Sequence, residues 1–169
     1  MSLIKKFCLQ PVEDLGKFAH LPQLVLRVSV GFMFLSGAVG KLADLDRFAG
    51  ALREAAIPLP LAGVVAPVLA AVELVGGVAL MVGIGTRLAS LVLGVTMVGA
   101  LITTVAPPLL DRYPNPWTWL SNLFYQPEWL LLGLLAWWVC AGGGRLGVDA
   151  WVQHRRAAES ESASMSDTD

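Results

Sequence analysis

The sequence has few charged residues and few cysteines, and each shortage excludes a class of protein. Only 15% of its 169 residues are Asp, Glu, Lys or Arg, against about a quarter in soluble domains. With a net charge of -1, the chain lacks the basic field that attracts nucleic acid. Cys8 and Cys140 lie far apart and form no CxxC pair, so the sequence predicts neither a disulfide framework nor a metal knuckle.

Motifs for catalysis and cofactor binding are also missing. The sequence contains no HExxH motif and no Gly-rich phosphate loop, and we predict no metal site. His20 and His154 are candidates for axial haem ligation, but neither lies within an apolar run, and interfacial histidines are the simpler interpretation. The first 20 residues lack the apolar core of a cleavable signal peptide.

Apolar residues, in contrast, make up 56% of the chain and gather into long unbroken runs. Four runs have the character of membrane spans: residues 21–40, 61–84, 88–106 and 127–141. We expect the third to stop at Pro107 and Pro108. Unbroken runs argue against barrel strands, which alternate. The predicted fold is an all-α integral membrane bundle of four transmembrane helices at residues 21–150, with an N-terminal segment 1–20 and a tail 151–169.

The distribution of Lys and Arg predicts the orientation. With the N-terminus inside, eight of the 12 cations lie on or near the cytoplasmic side and four on or near the outer side. The eight are Lys5, Lys6, Lys17, Arg27, Arg87, Arg145, Arg155 and Arg156. We therefore predict that both ends of the chain are cytoplasmic.

Two segments outside the spans have a distinctive composition. The predicted outer loop, residues 107–129, is rich in Trp, Tyr and Pro, which favours a partly embedded interfacial or re-entrant segment. A lid over a hydrophobic ligand is the alternative. After Gly147, residues 148–156 predict a short amphipathic surface helix, and the small, acidic residues beyond them predict disorder.

Glu73 is a carboxylate near the middle of the second span. Such a charge costs roughly 2.5–3.5 kcal/mol on insertion scales, so it should be paired, protonated or facing water. Its helical neighbours are mostly small, including Ala70, Gly76 and Gly77, which is typical of a close helix contact. We therefore expect Glu73 to point into the bundle, as a proton-accepting or ligand-binding group or as part of a structural pair.

Three further charges are candidates to share a polar cleft with Glu73. Arg27 lies about two turns into the first span; its guanidinium extends toward Glu73 or, alternatively, snorkels to the phosphate layer. Lys41 and Glu128 mark the outer ends of the first and fourth spans and predict a second pair. Two other acidic residues compete for Lys41, namely Asp44 and Asp46.

The order of these residues resembles the DoxX family of small bacterial four-helix membrane proteins. The resemblance covers about residues 24–149 and is most specific in the segment ELVGG…TR. It is carried by Arg27, Gly31, Gly37, Lys41, Pro58, Glu73, Gly76, Gly77, Gly83, Thr86, Arg87 and Asp149. Ser36 stands where many members have histidine, so a cofactor bound through that histidine is not expected here.

The resemblance implies a multi-pass protein of the bacterial cytoplasmic membrane, whose relatives are linked to thiosulfate:quinone oxidoreductase and to thiol-handling complexes. One hypothesis is a membrane subunit of a quinone-linked or sulfur-handling oxidoreductase assembly, with Glu73 as proton carrier in a cleft with Arg27, Lys41 and Glu128. It implies a quinone cofactor and a redox partner protein. The alternative is a non-catalytic scaffold or small-molecule permeation module. The sequence predicts contact with the lipid bilayer and leaves a homo-oligomer open.

Overall fold

The computed structural model describes residues 20–55, 57, 61–144 and 146–166, and the regular secondary structure in these ranges is helical. A π-helical turn, Leu101–Val105, joins two of the helices. Among the residues used above, Lys5, Lys6, Cys8, Lys17, Pro58 and Arg145 lie outside the described ranges. The helices are α1 (His20–Ala43), α2 (Leu45–Glu54), α3 (Leu61–Val82), α4 (Thr86–Ala100), α5 (Ala106–Arg112), α6 (Pro116–Phe124), α7 (Pro127–Ala141) and α8 (Val148–Ser166).

Three described stretches are long and apolar enough to cross a membrane: α1, α3 and the continuous stretch Thr86–Arg112. The predicted all-α class is thus confirmed. Helix α7 is apolar and has the predicted bounds, but its 15 residues fall short of the roughly 20 that a span across the hydrocarbon core needs. A fourth crossing therefore stays a prediction.

The core forms where four helices meet. Helix α1 packs along α3, α3 against α4, and α4 against α7. Their inward side chains form one cluster, made of Val30, Phe34, Leu80, Leu93, Leu135 and Trp138. The outward side chains are also apolar, because lipid tails are as apolar as the core; the outward ones include Val25, Val75 and Leu88.

The contact between α1 and α3 depends on two glycines. A Cβ atom on Gly31 would lie 2.7 Å from the carbonyl oxygen of Gly77, and a Cβ atom on Gly77 would lie 2.7 Å from that of Gly31. Real Cβ atoms essentially never come this close to backbone atoms, so any larger residue would push the helices apart. Small residues permit such close approach between membrane helices.

The prediction that Pro107 and Pro108 end the third span is wrong. The helix passes through the π turn Leu101–Val105 and continues as α5, which begins with these prolines in its first turn. Proline is tolerated there because the π turn before it already interrupts the regular α-helical hydrogen-bond pattern. The Thr103 and Thr104 hydroxyls donate to the carbonyl oxygens of Gly99 and Ala100 at 2.8 and 2.6 Å, which satisfies acceptors near the irregular turn.

The two segments outside the spans are both helical. The aromatic loop contains α5 and α6, and it leaves Trp117 and Tyr125 80% and 83% exposed; its embedding in the membrane stays a prediction. At the other end of the chain, a short helix was expected after Gly147, followed by disorder. Helix α8 instead runs from Val148 to Ser166.

Candidate functional site

The central polar contact of the bundle joins Lys41 of α1 to Glu73 of α3, whose ammonium and carboxylate form an ion pair and a hydrogen bond. Helical side chains lean toward the N-terminus of their own helix. Since α1 and α3 run antiparallel, Lys41 leans along the bundle in one direction and Glu73 in the other, and the two side chains converge. The structure thus confirms that Glu73 points inward and has a polar partner from the first span.

The two partners differ in their access to the surroundings. Glu73 is 3% exposed, whereas 30% of the Lys41 side chain is accessible. The Lys41 ammonium also lies over the ring of Phe48, 4.9 Å from its centroid, a favourable cation–π arrangement. Lys41 therefore connects a buried carboxylate to the surface beside α2.

A cavity of about 310 Å³ opens at this surface, between the end of α1 and α2. Lys41 and Phe48 line it together with Gly37, Asp44 and Arg47. Its volume is at the lower end of the range for small-molecule pockets. Asp44 caps α2 by accepting the backbone N–H of Arg47 at 3.0 Å. We call the Lys41–Glu73 pair and this cavity the α2-end site.

Arg27 does not belong to the α2-end site, contrary to prediction. It is 1% exposed, and its two terminal nitrogens donate to the carbonyl oxygens of Gly143, at 2.6 Å, and Leu146. It neither approaches Glu73 nor snorkels to the surface. The reason is that residues 142–144 and 146–149 lie against the turn between α3 and α4, where their carbonyl groups are within reach of Arg27. We call this region the hairpin end.

Glycines shape the space that the Arg27 guanidinium occupies. Cβ atoms on Gly83, Gly143 and Gly147 would each lie within 2.8 to 2.9 Å of it. Gly83 also has φ +79°, a conformation that favours glycine. Since these residues come from two distant segments, the guanidinium socket forms only when the segment after α7 docks onto the α3–α4 turn.

Asp149 completes the hairpin end. Its carboxylate accepts the backbone N–H groups of Gly85 and Thr86 at 2.8 and 2.9 Å, and its own N–H donates to the Gly83 carbonyl at 3.0 Å. Burial raises the pKa of Asp149, but those N–H donors and the charge of Arg27 outweigh it, so its pKa lies below the usual value. Asp149 thereby caps the exposed start of α4.

The prediction that Lys41 pairs with Glu128 is wrong, because Lys41 forms its ion pair with Glu73. Glu128 lies in the first turn of α7, and its Oε2 atom is buried without a hydrogen-bond partner in the described part of the chain. Of the four predicted cleft residues, the structure brings together only Lys41 and Glu73. Across the described ranges, no group of three or more His, Cys, Asp or Glu side chains could hold a metal ion.

The sequence alone did not predict the roles of two residues, one at the α2-end site and one at the hairpin end. Phe48 follows Lys41 by seven residues, but the bend at Ala43–Leu45 that returns it to Lys41 has no simple sequence signature. Asp149 is part of the family pattern, but no local sequence signal indicates that it caps α4, because it lies 63 residues from Thr86 in the chain.

Comparison with known proteins identifies the domain. The sequence model of the DoxX family matches residues 23–106, which confirms the family resemblance over that part of the chain; residues 107–149, to which the predicted resemblance also extended, lie outside the match. A Bacillus subtilis (strain 168) protein named "Putative oxidoreductase CatD" is 33% identical over 92 residues, which is 53% of this chain and 63% of the relative. The match thus spans less than two thirds of that relative. No solved structure shows significant similarity to the chain.

Proposed function

Because this multi-pass membrane chain contains a DoxX domain at residues 23–106, we propose that it is an accessory subunit of a quinone-linked or sulfur-handling oxidoreductase assembly in the bacterial cytoplasmic membrane. In this proposal the α2-end site receives a quinone head group, and Glu73 carries a proton for it. The observation that carries the proposal is the buried Glu73 carboxylate, which Lys41 connects to an open cavity.

The residues of the site suit such a ligand. Lys41 has three N–H donors, and its ion pair with Glu73 leaves donors for a ring oxygen in the cavity. Phe48 adds an aromatic surface. A quinone supplies two-electron chemistry coupled to protons when it is bound. The protein's part is to orient the ring oxygen through Lys41 and to exchange a proton at the Glu73 carboxylate.

The surroundings of Glu73 favour this proton role. At 3% exposure the carboxylate is shielded from bulk water, so direct proton exchange with the solvent is restricted. Lys41 pairs with the carboxylate and also lines the cavity. A general acid or base must lie within reach of the group with which it exchanges a proton, and Lys41 places Glu73 next to the cavity. The name of the Bacillus subtilis relative supports an oxidoreductase setting.

One observation favours a second candidate, a non-catalytic scaffold or permeation module. The ion pair ties α1 to α3 in the same interface as the close contact of Gly31 with Gly77. A pair in that position fixes the register of the two helices without any chemistry. Buried ion pairs of purely structural value are known in other proteins.

Purification in a gentle detergent, with mass spectrometry of co-purifying proteins and quinones, tests the proposal. We expect a redox partner protein and a quinone to accompany the native chain. Glu73→Gln should keep the partner but abolish quinone-dependent turnover of the assembly. Glu128→Gln, the same chemical change at an acidic residue outside the site, is the matched control and should retain turnover. If turnover instead follows protein abundance in every variant, the scaffold candidate is correct.

A further inference from the structure

An apolar groove lies between α3 and α4, on the side of these helices that faces away from the core of the bundle. It encloses about 600 Å³. Exposed side chains of Val68, Val75 and Leu88 line it, and the small residues Ala71 and Ala79 deepen it. From Val68 to Ala79 it follows α3 for about 17 Å at the helical rise per residue. These dimensions suit a single extended hydrocarbon chain lying along the bundle.

The groove continues into a polar pocket at the hairpin end. This pocket encloses about 780 Å³ between the start of α4, the segment Gly142–Gly144 and α8. The groove and the pocket share Ile84, Gly85 and Leu88 in their linings. A ligand lying in the groove therefore has its end in the pocket.

Two arginines give the pocket its charge. Arg87 stands in the first turn of α4 and Arg156 on α8; both line the pocket and both are exposed. The Lys41–Glu73 ion pair lies at the other end of the bundle and involves neither arginine. Asp149 also lines the pocket, but its carboxylate is engaged by the N–H groups of Gly85 and Thr86. The pocket thus presents two cations to an anion, next to one acid that already accepts two N–H groups.

We propose that the groove and the pocket together bind one anionic phospholipid, with an acyl chain along α3 and α4 and the phosphodiester between Arg87 and Arg156. Basic pockets at the ends of membrane helices bind such head groups. The charge argues for a lipid over a second copy of the chain, because an apolar helix in the groove would leave both arginines unpaired. This site is at the opposite end of the bundle from the α2-end site and does not depend on the proposed quinone function.

Native mass spectrometry of the full-length protein, stripped of lipid in detergent, provides the test. Phosphatidylglycerol and phosphatidylcholine are titrated separately, and inorganic phosphate and glycerol phosphate are added as competitors. We expect one phosphatidylglycerol to bind in preference to phosphatidylcholine. Arg87→Gln and Arg156→Gln should each weaken binding about fivefold, as expected for one cation near an anionic surface. Arg112→Gln, an exposed arginine on α5, is the matched control and should bind normally.

A second variant examines the acyl-chain groove. Ala71→Phe places a large side chain in the groove from an exposed position, so it should fold normally and weaken phosphatidylglycerol binding. The proposal is overturned if the double variant of Arg87 and Arg156 binds the lipid as tightly as the native chain. It is also overturned if free phosphate competes as well as the lipid, or if Ala71→Phe dissociates a dimer while the native chain shows no bound lipid.

Discussion

Arg27 of α1 donates a hydrogen bond of 2.6 Å to the carbonyl oxygen of Gly143, so the first helix of the bundle holds the segment that follows α7. The guanidinium is almost fully buried and satisfies a second acceptor on Leu146. Its two terminal nitrogens thus have carbonyl partners, while its Nε atom has none in the described part of the chain. The two hydrogen bonds stabilise a charge that would be costly to bury without them. The Arg27 contacts therefore have a structural role, because they fasten the segment after α7 to the first helix.

The structural role of Arg27 predicts that even a charge-conserving change is harmful. Arg27→Lys should lower the free energy of unfolding by about 2 kcal/mol or more, because an ammonium cannot serve two carbonyl groups with the planar fork of arginine. Unfolding in detergent micelles, followed by circular dichroism, measures this. Arg53→Lys, at an exposed position of α2, should change stability by less than about 0.5 kcal/mol. Equal stability of the two variants would contradict the structural role of Arg27.

The lowered pKa of Asp149 predicts a stability change in acid. Because the folded pKa of Asp149 lies below the usual aspartate value of 3.8, the ionised carboxylate stabilises the fold above that value. This contribution is lost as the pH falls through the folded pKa. The difference in melting temperature between the native chain and Asp149→Asn should be constant from neutral pH to about pH 5 and shrink below about pH 4. A difference that stays unchanged down to pH 3 would show that the charge of Asp149 is not what caps α4.

Much of the fold was predictable because hydropathy and length depend only on the local sequence. The bounds of α7 agree with prediction, and Glu73 faces inward as its small neighbours indicated. The continuation through Pro107 and Pro108 was not predictable, since it depends on a π turn that has no composition signature.

The partners of the charged residues were harder to predict than the helices. The similar depth of Lys41 and Glu128 at the outer ends of their spans suggested that they form a pair. Lys41 pairs with Glu73 instead, because the two side chains tilt toward each other along antiparallel helices. The hydrogen-bond partners of Arg27 depend on how residues 142–144 and 146–149 fold back on the α3–α4 turn. No periodicity in the sequence encodes that return.

The unequal exposure of Lys41 and Glu73 predicts an unequal response to mutation. Lys41→Met leaves a carboxylate buried without its cation and should destabilise by up to about 3 kcal/mol. Glu73→Gln should cost less, because the accessible Lys41 side chain can turn toward water. The double variant Lys41→Met with Glu73→Gln should recover much of the loss. Thermal unfolding of the three variants in detergent measures the coupling, and strictly additive losses would show that the pair contributes nothing.

The predicted topology can be tested independently of the ion pairs. Reporter fusions within Thr86–Arg87 and after Arg156 should report the cytoplasm, and fusions near Arg53 and Asn115 should report the outer side. The expected change of side between Asn115 and Arg156 requires α7 to cross the membrane despite its length. A cytoplasmic signal at Arg53 would reverse the orientation, and the same side at Asn115 and Arg156 would remove the fourth crossing.

The proton role of Glu73 is the central claim, and infrared difference spectroscopy of the purified assembly during quinone reduction tests it most directly. The account predicts a carboxyl signal that changes on reduction in the native chain and in Glu128→Gln, and that is absent in Glu73→Gln while the assembly stays intact. If the same signal persists in Glu73→Gln, or if no carboxyl signal accompanies reduction in the native chain, Glu73 carries no proton and the Lys41–Glu73 pair only joins α1 to α3.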